Sequence, residues 1–207
     1  MHDRGAKQRV VHESEEPITG LEFRAESKLT NLYVATISRI LKLIVSGRGQ
    51  GQPGRTLEEL GCGLGCMTVD DRNGDIVVAR DDAIYYYEVD GRGPCFAYDG
   101  PKSLIAIYGD YIALVSPPAA TTTAKSSTLR RFGNTQADDI FNTSTFTLLD
   151  TDLKFVAHSE SLVSQVQSLF MIWGDLFSLT QDGKVLMVSS HDFTDSVANI
   201  CLDISIS

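Results

Sequence analysis

Three cysteines and a histidine are the first residues that could do chemistry. Cys62 and Cys66 stand four apart, Cys95 follows, and His158 lies further on. Structural zinc sites pair their ligands as C-x₂₋₄-C and repeat the pair downstream. Here the first pair has the spacing, but no second pair exists. On a strand, residues four apart share a face, so Cys62 and Cys66 read better as two small buried thiols. Gly49-Gln50-Gly51-Gln52-Pro53-Gly54 matches G-x-G-x-x-G. A dinucleotide site also needs a helix whose first amides face the pyrophosphate, and only Thr56 to Leu60 intervene before Gly61. A blade loop is the better reading. Asp71-Arg72-Asn73-Gly74-Asp75 looks like part of a calcium loop but has no distal glutamate in register, so it reads as a hairpin turn. No serine sits in a G-x-S-x-G elbow, and His2, His12, His158 and His191 have no motif partner. The expectation is that no residue is catalytic, binds a cofactor or holds a metal.

The elements that would carry such residues are strands. From Gly61 to Pro101 four short strands are separated by tight turns, about the size of one propeller blade. They are Cys66–Val69, Ile76–Ala79, Ile84–Tyr87 and Cys95–Tyr98. Asn73-Gly74 offers the two positive-φ positions of a two-residue hairpin turn, and Asp90-Gly91-Arg92-Gly93 reads as a further turn. Tyr85, Tyr86 and Tyr87 alternate across their strand, which predicts one face in the core and the other at the surface.

The unit recurs. An earlier one carries strands at Ile18–Phe23, Leu32–Thr36, Ile40–Val45 and Thr56–Leu60, after a closing strand at Gln8–His12. A third holds Leu104–Tyr108, Tyr111–Val115, Phe146–Asp150 and Phe155–His158. A fourth holds Val163–Leu169, Leu176–Thr180 and Val185–Val188. Second strands therefore begin near Leu32, Ile76, Ile112 and Leu176. The wide last interval falls to one period of ~40–45 if the polar segment around 117–142 is an insertion. That segment is too polar to pack and reads as disordered. The Asn142-Thr143-Ser144 sequon falls at its end. A generic β-sandwich is the competing architecture, and the four-strand period favours an all-β propeller of about four blades. Propellers of this period close with more blades than four, so residues 1–190 read as an arc of a seven-bladed ring and 191–207 as an atypical tail. Such an arc leaves end blades uncovered around Leu21-Phe23 and Leu176-Phe177.

Composition narrows the function. The 207 residues carry a net charge of −9 with no basic run, which excludes the clustered cations that phosphates require. No apolar run reaches the ~20 residues of a membrane span. The start carries charge with no apolar stretch behind it, so the expected compartment is cytoplasmic, with Cys62, Cys66, Cys95 and Cys201 reduced. A propeller enzyme would need convergent polar or charged groups on the first strands, which carry mostly Thr19, Thr68, Ala106 and Gln167, a poor set for acid–base work.

Gly61-Cys62-Gly63-Leu64-Gly65-Cys66, Ile84-Tyr85-Tyr86-Tyr87 and the run from Asp90 to Lys102 (DGRGPCFAYDGPK) resemble the N-terminal propeller of the vacuolar protein sorting subunit eleven family, of the fungal Pep-five type. The resemblance covers Lys7 to Val188. It implies a non-catalytic scaffold of the HOPS and CORVET vesicle-tethering complexes, peripheral on late endosome and vacuole or lysosome membranes. The implied partners are the other class C vacuolar protein sorting subunits, with membrane association only through the complex and no nucleic acid. The family's α-solenoid and RING-type zinc domain have no counterpart in these residues. The alternative is a β-propeller enzyme with a central-channel site.

Overall fold

β-branched and aromatic residues alternate with turn formers every few positions, and among the described residues the computed structural model has strands as its only regular elements. It describes residues 10–26, 29–45, 54–88, 91–118 and 143–188. The fold is a β-propeller of four sheets, each an antiparallel meander. They are β1 (Gly20–Glu26), β2 (Leu29–Ala35), β3 (Ile40–Val45) and β4 (Arg55–Glu58); then β5 (Met67–Asp70), β6 (Asp75–Ala79), β7 (Ala83–Glu88) and β8 (Gly91–Ala97). The third sheet is β9 (Leu104–Tyr108), β10 (Tyr111–Ser116), β11 (Ser144–Asp150) and β12 (Val156–Leu162); the fourth is β13 (Val166–Ile172), β14 (Asp175–Thr180) and β15 (Val185–Val188). Among the described residues the fourth sheet has three strands rather than four. Most of the expected insertion and tail, residues 119–142 and 189–207, lie outside the described residues.

The chain divides into two compact units, one of Met1–Arg80 with Ile84–Cys95, the other of Asp81–Ala83 with Phe96–Ser207. In the first unit β1 packs along β5, and their approach is close. A Cβ on Gly20 would stand 2.8 Å from the Met67 side chain. Leu32, Val34 and Leu43 form a buried cluster on one sheet, with Leu41 and Val45 against it. Leu21 and Phe23 pair with Val34 and Leu32 on the same face, yet they are 51% and 57% exposed.

In the second unit Ala113, Val115, Phe146 and Leu148 of the third sheet pack against Val166 and Leu176 of the fourth. Burying each such side chain stabilises by roughly 1.5–3 kcal/mol. Leu176 is thus a core residue and not part of an uncovered face, contrary to the sequence expectation, because it packs against the third sheet.

Four local expectations are corrected. Val10–His12 form no strand. The β5–β6 connection is a four-residue loop, because only Gly74 has a positive φ (75°) and Asp70 pairs with Asp75. The Asp70 carboxylate accepts the Arg72 amide and the Asn73 side chain accepts the Asp75 amide, so two Asx turns replace the two-residue one. β8 starts at Gly91, four residues before the expected Cys95; it is an edge strand, the place in a sheet where Pro94, which has no N–H to donate, is tolerated. Tyr86 is buried along with Tyr85 and Tyr87, so neither face of β7 is a surface.

Candidate functional site

Cys62 and Cys66 are buried and Cys95 is exposed. Burial pushes the Cys62 thiol above its ordinary value. Cys62 is held by its amide, which donates to Thr36 O at 3.0 Å, while the preceding Gly61 amide donates to Ile37 O at 3.2 Å. His158 lies on β12, 3.7 Å from Glu160. Among the described residues no three His, Cys, Asp or Glu side chains are grouped to hold a metal. Of the G-x-G-x-x-G run only Gly54 is described, with its would-be Cβ 2.5 Å from Leu43. His2, His191 and Cys201 also fall outside the described residues. Of the first-strand positions, Thr19 is buried, Thr68 and Ala106 are half-buried and Gln167 is exposed. None of the four is an acid, a base or a nucleophile at neutral pH.

The tyrosine run is a structural hub. Arg80 Nε donates to Gly61 O at 2.8 Å, and its guanidinium also reaches Leu60 O and the Tyr87 hydroxyl, the latter at 2.9 Å. Tyr87 donates to Glu58 at 3.3 Å. The Tyr85 ring lies 4.6 Å from both the Arg80 and the Arg92 guanidinium, and Arg92 pairs with Glu58 at 3.8 Å. These cations cover what the sequence alone suggested would be a bare face. With the groups engaged in one another, the cluster ties the first two sheets together and has no reactive member.

What the described surface offers instead is an apolar edge at one end of the second unit. Phe170 and Phe177 pair across β13 and β14 and stack at 5.7 Å, fixing the hairpin. Ile172 pairs with Asp175, leaving Trp173 and Gly174 as a two-residue turn with φ of 53° and 92°. A type I′ turn takes positive φ at both positions and favours Asn or Gly. Trp173 occupies the first of them while being 100% exposed, and Met171 and Ile172 beside it are exposed too. A bulky side chain there costs on the order of 1 kcal/mol and gains no burial.

A second apolar tip is built at the β11–β12 turn. Asp150 Oδ1 accepts the amides of Asp152 and Leu153 at 2.9 and 2.7 Å, and the Asp150 amide donates to Phe155 O. The turn, with Lys154 at φ 57°, holds Leu153 and Phe155 outward at 72% and 50% exposure. Thr151 fastens it to the β9–β10 turn through its amide and hydroxyl, both donating to Asp110 O.

The two tips share one end. The Val166 amide, at the start of β13, donates to Ser144 Oγ at 3.1 Å, and Ser144 starts β11 at the end opposite its Asp150–Phe155 turn. β13 therefore runs in the direction of β11 and finishes with Trp173 at that same end. Sequence reasoning passed over this surface. Its one available signal was Trp-Gly between two apolar runs, where a turn would ordinarily carry Asn-Gly.

The four antiparallel sheets define an all-β propeller module. Residues 1–189 match the PEP5/VPS11 N-terminal family, and the chain belongs to it. It is 34% identical over 192 residues to the human vacuolar protein sorting-associated protein 11 homolog and 33% identical to the mouse one. Each match covers 92% of this chain and 19% of the relative. The chain thus spans about a fifth of the curated relatives it matches. Among solved structures, the computationally designed Ika4 protein superposes with a TM-score of 0.52 at 14% identity, covering 88% of this chain and 98% of Ika4. That likeness concerns the fold alone.

Proposed function

We propose that this chain is a non-catalytic interaction module of the vacuolar protein sorting machinery, a scaffold within the HOPS and CORVET tethers. It acts at endosome and vacuole or lysosome membranes, which it reaches through its complex. The observation that carries this reading is membership of the PEP5/VPS11 N-terminal family over residues 1–189. The relatives' shared name refers to vacuolar protein sorting. The described residues add hydrogen-bonded turns that present apolar side chains. In this reading Cys62, Cys66 and Cys95 are structural thiols that hold no metal, and the chain takes no cofactor.

The test is affinity capture of the tagged chain from cells, with quantitative mass spectrometry against an unrelated propeller. Enrichment of the other class C sorting subunits is the expected result. Equal recovery with the control would overturn the proposal.

A further inference from the structure

The turns at the end that carries the apolar tips of the second unit are rich in acid. The three turns at that end contribute Asp110, Asp150, Asp152 and Asp175 against the single cation Lys154. Their apolar members, Leu153, Phe155, Met171, Ile172 and Trp173, are all exposed. Two explanations compete for such a surface. Exposed aromatic and aliphatic tips can enter a bilayer interface, but cytoplasmic leaflets are anionic and attract Lys and Arg. Four carboxylates on the turns at that end oppose that approach. A protein partner with apolar anchors between basic side chains meets both features at once.

We propose that the Leu153–Phe155 and Met171–Trp173 tips form a docking surface for a basic amphipathic segment of a partner protein. Trp173 is its central anchor. Tryptophan is the side chain most enriched among binding hot spots, and its two χ angles are cheap to order. The cross-strand Phe170–Phe177 stack and the Asp150 and Thr151 hydrogen bonds hold both tips in place before binding. Little ordering cost remains for the encounter. The acidic rim steers the basic segment in and makes the association salt-sensitive. This inference rests on the interaction-module reading and adds the location and the partner chemistry.

Trp173 is the chain's one tryptophan, so its fluorescence reports the surface directly. The probe is a helical peptide of about 18 residues, five turns, with leucine on one face and lysine on the other. Its twin carries glutamate for lysine, and phosphatidylcholine vesicles with phosphatidylserine form the third arm. The lysine peptide is expected to blue-shift the emission, less so as salt rises, while the glutamate twin and the vesicles leave it unchanged.

Calorimetry then compares variants. Trp173→Asn suits the left-handed turn and keeps the fold, and Leu153→Ser with Phe155→Ser tests the second tip independently. Each is expected to weaken binding at least about tenfold. Equal binding of the two peptides, undiminished binding by both variants, or a shift with vesicles alone would overturn the proposal. Capture of class C subunits by Trp173→Asn separates the two readings. Capture retained while the wild-type chain ignores the lysine peptide sinks this surface and leaves the scaffold standing. Loss of capture by the wild-type chain itself sinks the scaffold.

Discussion

Replacing Gly61 by alanine should break the junction between the first two sheets. A Cβ at Gly61 would lie 1.7 Å from Thr36 O and 2.7 Å from the Thr36 and Ile37 carbonyl carbons. These are backbone atoms of the β2–β3 turn and cannot swing aside as a side-chain tip would. Reaching even a 3.0 Å contact requires the two segments to separate by about 1.3 Å. That stretches the Gly61 amide to Ile37 O bond and the Cys62 amide to Thr36 O bond beyond hydrogen-bonding range. It also pulls Gly61 O from Arg80 Nε, on which the tyrosine hub depends. Each net hydrogen bond is worth about 1 kcal/mol, and a buried group left unmade costs ~1–3 kcal/mol. The expected loss is ~3–5 kcal/mol, a large part of a domain's usual ~5–15 kcal/mol. Urea unfolding followed by circular dichroism reads it as a lower midpoint at constant slope. Gly63→Ala is the control, since its Cβ would meet only Cys66 Sγ, at an ordinary 3.7 Å. It should change stability by under ~1 kcal/mol. A Gly61→Ala loss as small as the control's would refute the reasoning.

Three further outcomes are expected. Lys102 is buried and its ammonium donates to the carbonyls of Asp81, Tyr98 and Gly100 at 3.3, 2.5 and 2.7 Å, so Lys102→Met should cost ~2–3 kcal/mol in the same unfolding assay. The Arg72 side chain bonded to Asp70 holds that carboxyl below its ordinary 3.8; its stabilisation is complete above that value and is lost as pH falls through the lower folded value. The stability gap between wild type and Asp70→Asn should therefore close in acid, and a gap constant from neutral to strongly acidic pH would contradict the pairing. Against an aromatic disulfide reagent, in a Cys201→Ser background, exposed Cys95 should react fast, and buried Cys62 and Cys66 only at the rate of opening. Three equal rates would show that the two thiols are not packed.

The strands themselves were legible in the sequence. Leu104–Tyr108, Ile76–Ala79, Ile40–Val45 and Val185–Val188 all fall in strands within a residue of their expected bounds, because period-two alternation and adjoining turn formers act over neighbouring residues. Repetition of that local pattern was enough for the blade architecture, and the run from Gly61 to Lys102 carried the family. The turn at Asp71–Gly74 was not legible, since Asn-Gly competes there with two aspartate-type side chains that cap amides within the same loop. Nor was the burial of Tyr86. Alternation says that the two faces of β7 differ, and only neighbouring segments and cations decide whether both are covered. The need for glycine at position 61 comes from a carbonyl twenty-five residues away along the chain, at Thr36. Trp173 makes the same point from outside the core. Register sets this tryptophan at the tip of a hairpin, and the direction of β13 places that tip at the same end as Leu153 and Phe155. Sequence fixes which residues alternate; only the packing of sheet on sheet decides which of them meet water, and therefore which can meet a partner.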